Sequence, residues 1–108
     1  MDRKRAKELL PRFLNAEIAM AVARGPVHAR LAEVAILVTV FAVEEFPEEL
    51  RDKYQELRNL LHSQVVPKHA MSHPDFRKQN AAYYLSPRKT RRAADLIGDI
   101  LQAIVFAL

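Results

Sequence analysis

The sequence predicts an all-α fold: one domain over residues 1–108, built as a small bundle of four to five helices. Three observations lead there. Prolines at positions 11, 26, 47 and 87 each precede a stretch with helical periodicity, and proline suits the first turn of a helix while disrupting its interior. Within those stretches apolar residues recur every three or four positions. Only two glycines occur among 108 residues, which argues against a β-sandwich, a phosphate-binding glycine loop or a dinucleotide fingerprint, all of which need positive φ or close backbone approach.

The first block follows Pro11, with Leu10, Leu14, Ile18 and Ala21 along one face and Phe13 and Val22 at its flanks. Gly25-Pro26 stops it and starts the next. That second block, Val27 to Phe46, is apolar nearly all round, through Leu31, Val34, Ile36, Leu37, Val38, Val40, Phe41 and Val43. A helix of this kind needs cover on every side, so it is expected at the centre of the bundle or at a seam between subunits. The third block, Pro47 to Val65, carries Leu50, Tyr54, Leu57, Leu61 and Val65 as a single stripe. Glu48 and Glu49 occupy its first turn, where the helix dipole favours acid, and Glu49 stands four residues before Lys53.

Pro67 and Pro74 make a loop of the next segment, with a short fifth helix expected around Phe76 to Tyr84. In the last block Ser86 is an N-cap followed by Pro87 at the first helical position. Its apolar stripe runs Leu96, Ile97, Ile100, Leu101, Ile104, Val105 and Leu108, with Asp95, Asp99 and Gln102 opposite.

No cysteine is present, so disulfides, thiolate nucleophiles and thiolate zinc sites are excluded, and the chain suits a reducing compartment. The longest apolar run, Val34 to Val43, is half of the roughly 20 residues that span a bilayer, so no membrane partner is expected and the chain reads as cytoplasmic.

Charge is segregated. Residues 1–30 carry seven bases and three acids, residues 31–66 three and seven, and residues 67–108 seven and three. Arg88, Lys89, Arg91 and Arg92 crowd the start of the last helix, where the dipole opposes positive charge; Asp95 is the nearest acid that reaches Arg91 and Arg92. Such an arrangement invites an external anion. Nucleic acid is one candidate, given a pI near 9.7 and a second basic cluster at Arg3, Lys4, Arg5 and Lys7. Against it, no helix-turn-helix signature or recognition-helix pattern is present.

Three groups carry potential chemistry. His69 and His73, spaced one helical turn with His62 and Asp75 nearby, lack an evident third strong metal ligand and read as solvated loop histidines. Arg58 and His62 stand closer in sequence than the Arg and His with which helical ribonucleases cleave RNA, and read as a polar flank. Glu17 falls within the apolar face of the first block, with Arg24 and His28 as potential partners and a place at the core rim as the plainer reading. No enzyme, metal or cofactor is expected.

The expected function is therefore a non-enzymatic protein–protein interaction module. It would be a small regulator or adaptor that binds another protein through helix faces, for instance holding a transcription factor or an enzyme inactive. A homodimer is expected from the surplus of apolar helix surface. The expected interface residues are Val38, Phe41, Ile100, Ile104, Phe106 and Leu108, with Phe106 projecting opposite Ile97 into the polar side of its helix. The alternative is a nucleic-acid-binding regulator that uses Arg88, Lys89, Arg91 and Arg92 on phosphates.

Overall fold

The computed structural model describes all 108 residues, 75% of them helical and none in a strand. Asp2 decides where the first helix begins. Its carboxylate accepts a hydrogen bond from the Arg5 backbone N–H at 2.7 Å, and helix α1 runs Arg3–Val22. The helix therefore starts eight residues before Pro11, which lies inside it. The ring is tolerated because Pro11 is exposed, on the side where solvent satisfies the carbonyl that loses its donor.

The inward face of α1 is Ala6, Leu9, Phe13 and Ala16, not the expected Leu10, Leu14, Ile18 and Ala21. Both stripes obey helical spacing. The aromatic bulk of Phe13 takes the interior, where it meets Phe41 and Phe46 at ring-centroid separations of 6.2 and 6.0 Å.

Gly25 is the one residue with positive φ, 101°, and it turns the chain into α2, Val27–Thr39. Arg30 fastens this turn by donating from Nη1 to the Met20 carbonyl oxygen at 2.7 Å. The expected helix to Phe46 ends early. Val38, Thr39 and Val40 are β-branched and poor at propagating a helix. Beyond them the backbone finds other partners: the Phe41 oxygen accepts from the Tyr54 hydroxyl, the Phe46 oxygen from Arg51 Nε, and the Ala42 N–H donates to Glu45. A 3₁₀ turn, Val43–Glu45, replaces the missing helix.

Helix α3, Glu48–Leu61, buries Leu50, Tyr54, Leu57 and Leu61 as its stripe requires, and Val65 lies beyond it, exposed. The expected Glu49–Lys53 pair does not form. Lys53 reaches Asp99 at 3.5 Å instead, and Glu49 pairs with the Met1 amine.

From Phe76 to Tyr84 the fifth helix is absent; two 3₁₀ turns, Phe76–Gln79 and Ala81–Tyr84, stand in its place. Asn80 separates them. It adopts an extended conformation (φ −102°, ψ 136°) and its side chain caps the second turn by accepting from the Ala82 N–H, an alternative that competes with helix propagation. Helix α4, Pro87–Phe106, begins at the Ser86 cap, with Ser86 Oγ accepting from the Lys89 N–H.

Helix α2 has the most extensive packing, against α1, α4 and the two 3₁₀ turns, as expected of a central helix, while α4 packs against all three other α-helices. The assembly measures 44 × 25 × 23 Å. None of its helices is long and apolar enough to cross a membrane.

Candidate functional site

The residues expected at an interface divide sharply. Val38, Ile100 and Ile104 are fully buried in the monomer's own core, and Phe41 is half-buried in the aromatic cluster with Phe13 and Phe46. Val38, Ile100 and Ile104 face inward because α2 and α4 meet each other and α1 within a single chain, whereas Phe41, past the end of α2, keeps part of its surface in solvent. Phe106 is the opposite case, 81% exposed, beside a shallow recess of about 290 Å³ lined with Met1, Leu50, Ala103 and Ala107. Leu108 is also exposed.

A second apolar surface lies on the face of α1 that helical spacing marks as its apolar stripe. On α1, Leu14, Ile18 and Val22 are 40%, 52% and 73% exposed. Helices α1 and α4 run antiparallel, since Arg3 Nε donates to the Leu108 oxygen at 2.7 Å while Glu17 lies over Gly98. Helical spacing puts Leu10, Leu14 and Ala21 on the Glu17 flank of α1, and Leu101 and Val105 on the Gly98 flank of α4. The two flanks adjoin, giving a two-helix face of exposed and half-buried aliphatic groups.

Glu17 stands within this face, half-buried and without an ion pair or hydrogen bond. Neither expected partner pairs with it: Arg24 lies exposed past the end of α1 and makes no ion pair with Glu17, and the His28 ring packs edge-on against Tyr83 at 4.8 Å. The exposure of Leu14, Ile18 and Val22 could not be read from spacing, because two overlapping stripes of α1 were equally apolar.

The basic start of α4 is smaller than it looks in sequence. Arg92 makes a bidentate pair with Glu56 on α3, Nε to Oε2 at 2.7 Å and Nη2 to Oε1 at 2.8 Å, in place of the expected Asp95. The hydrogen bonds from Arg92 hold the Glu56 carboxyl below the usual glutamate range. Arg88, Lys89 and Arg91 remain exposed and unpaired, with no acid in the first turn of the helix.

The histidines do not converge. His62 caps the end of α3, His69 lies in the 3₁₀ turn Lys68–Ala70, and His73 Nδ1 accepts from the Asp75 N–H at 3.0 Å. The i,i+4 spacing of His69 and His73 gives no shared face here, since the segment after Pro67 is not α-helical. No group of three side chains gathers in a metal-binding arrangement. No family model, no curated protein and no solved structure matches this chain.

Proposed function

We propose that this protein is a non-enzymatic helical interaction module that pairs with a second copy of itself through the α1–α4 face and leaves Phe106 for another protein. One observation carries the reading: Leu14, Ile18 and Val22 stay exposed on a helix whose opposite face already completes the core. Aliphatic side chains aligned over two turns and continued on a neighbouring helix form a patch, and patches of this kind mark contact surfaces in a way that scattered apolar residues do not. A two-helix face placed against its own copy gives a four-helix arrangement, and two-fold pairing is the commonest way a soluble chain covers such a face. In that setting the module is a regulator or adaptor, acting by occupying a partner rather than by chemistry.

Light scattering on the purified chain tests it. At micromolar concentration the expected mass is twice 12.4 kDa. Ile18→Glu, at an exposed position, should return the mass to that of one chain without loss of helicity. A wild-type chain that stays monomeric overturns the pairing.

A second reading, a nucleic-acid-binding regulator, is supported by Arg88, Lys89 and Arg91, which lie together without acidic partners. It predicts affinity that falls steeply with salt, and Arg91→Gln should lower the salt slope by about one. Arg92→Gln should change it less, because Glu56 already neutralises that guanidinium. Capture experiments repeated after nuclease treatment separate the two readings.

A further inference from the structure

At the other end of α4 lies a cleft of about 610 Å³ that the interaction reading does not use. Its apolar walls come from Val27, Leu85, Pro87 and Ala94, and its aromatic walls from His28, Tyr83 and Tyr84. The rings form a continuous edge-to-face series, His28 to Tyr83 at 4.8 Å and Tyr83 to Tyr84 at 5.2 Å. The Tyr84 hydroxyl donates to the Lys78 oxygen at 2.7 Å, which fixes that ring against the preceding 3₁₀ turn. The volume falls within the range of small-molecule sites, which are mostly apolar with a few convergent polar groups.

Two polar features give the cleft direction. Arg91 lines it with a guanidinium that no carboxylate neutralises, at the end of α4 that already carries the positive pole of the helix together with Arg88 and Lys89. Thr90 also lines it. This residue is 3% exposed, yet its hydroxyl has no hydrogen-bond partner, unlike Thr39, whose hydroxyl donates to the Ala35 oxygen one turn back. A buried polar group left unpaired is unfavourable, and native proteins rarely keep one without a reason.

We propose that this cleft binds a small organic anion with a flat apolar body and one carboxylate. The body lies against the wall formed by the His28, Tyr83 and Tyr84 rings; the carboxylate takes two parallel hydrogen bonds from the Arg91 guanidinium, whose planar fork matches it; and the Thr90 hydroxyl gains its missing partner. The site holds a single lining arginine and is lined by only nine residues, which suits a small anion better than a polymer chain.

The test is a titration of the whole protein with 2-naphthoate, and in parallel with the neutral 2-naphthamide, followed by amide chemical shifts. The expected result is saturable 2-naphthoate binding. Shifts should concentrate at residues 27–28, 83–85 and 90–94, and affinity should be at least tenfold above that for the amide. Arg91→Gln should abolish that preference, bringing 2-naphthoate down to the affinity of the amide, and Thr90→Val should weaken 2-naphthoate several-fold in a chain of undiminished stability. The monomeric Ile18→Glu chain should bind as the wild type does, so failure of the pairing reading leaves this one standing. Four outcomes overturn the proposal: no saturation at millimolar probe, shifts centred elsewhere, equal affinity for the two probes, or a single-stranded oligonucleotide binding the same amides more tightly than 2-naphthoate.

Discussion

The Tyr54 hydroxyl donates a 2.7 Å hydrogen bond to the main-chain oxygen of Phe41. This contact joins the middle of α3 to the chain just past the end of α2, and it gives a partner to a carbonyl that the shortened helix leaves over. Tyr54 also stacks on Phe46 at 4.0 Å and is fully buried. Tyr54→Phe keeps the ring and removes the donor, and should cost about 1 kcal/mol in denaturant unfolding.

The same residue sets an alkaline limit. Burial pushes the Tyr54 phenol up to about 12 from the ordinary 10.0. The folded state holds the proton more tightly, so its advantage is complete below pH 10 and is lost as pH rises from about 10 towards 12. Over that window the wild type should lose roughly 2–3 kcal/mol relative to Tyr54→Phe. Superimposable pH profiles for the two chains would contradict this.

Ile100 and Phe106 occupy one helix and should behave oppositely. Ile100→Ala opens a cavity in the core and should cost about 2–5 kcal/mol. Phe106→Ala should leave stability within about 0.5 kcal/mol of wild type, since most of the ring is already in solvent. Comparable losses for both would show that the last turn is packed more tightly than described.

Much of this fold was legible in the sequence, and the exceptions share a cause. Pro47, Ser86 and Pro87 announce α3 and α4, and spacing identifies Leu50, Tyr54, Leu57 and Leu61 of α3 and Leu96, Ile97, Ile100 and Ile104 of α4 as inward; Leu101, Val105 and Leu108 of the same expected stripe lie half-buried or exposed. In α1 two apolar stripes compete, and the choice fell to Phe13 through rings supplied by residues 41 and 46. Local pattern contains no information about such distant partners. The end of α2 was equally hidden, fixed by Tyr54 and Arg51 from α3. Of the expected interface residues, only Phe106 and Leu108 remain exposed, because periodicity identifies an apolar face but not which apolar faces find each other within one chain.

The two glycines should answer oppositely to alanine. At Gly98, in the interior of α4, an added Cβ meets nothing nearer than Glu17 Oε1 at 3.8 Å, an ordinary contact. Gly98→Ala should therefore stabilise the protein by about 0.5–1 kcal/mol through helix propensity. Gly25 has φ of 101°, where side chains are strained, and Gly25→Ala should cost about 1–2 kcal/mol. Thermal unfolding of the two variants gives both signs directly.

Glu56 contributes on the acid side. Its carboxyl is held low by the Arg92 hydrogen bonds, so its stabilisation is present above the ordinary glutamate range and disappears as pH falls through that lowered value. Glu56→Gln should flatten the acid limb of the stability profile and leave the alkaline limb unchanged. An identical acid limb in both chains would show that the pair contributes nothing in solution.

Helix α4 packs against each of the other three helices, while none of those packs in this way against all the rest. On the ribosome this order has a cost in time. Leu9, Phe13, Leu31, Val34 and Leu57 are synthesised well before the residues 87–106 that cover them, so the nascent chain displays its apolar interior until α4 emerges.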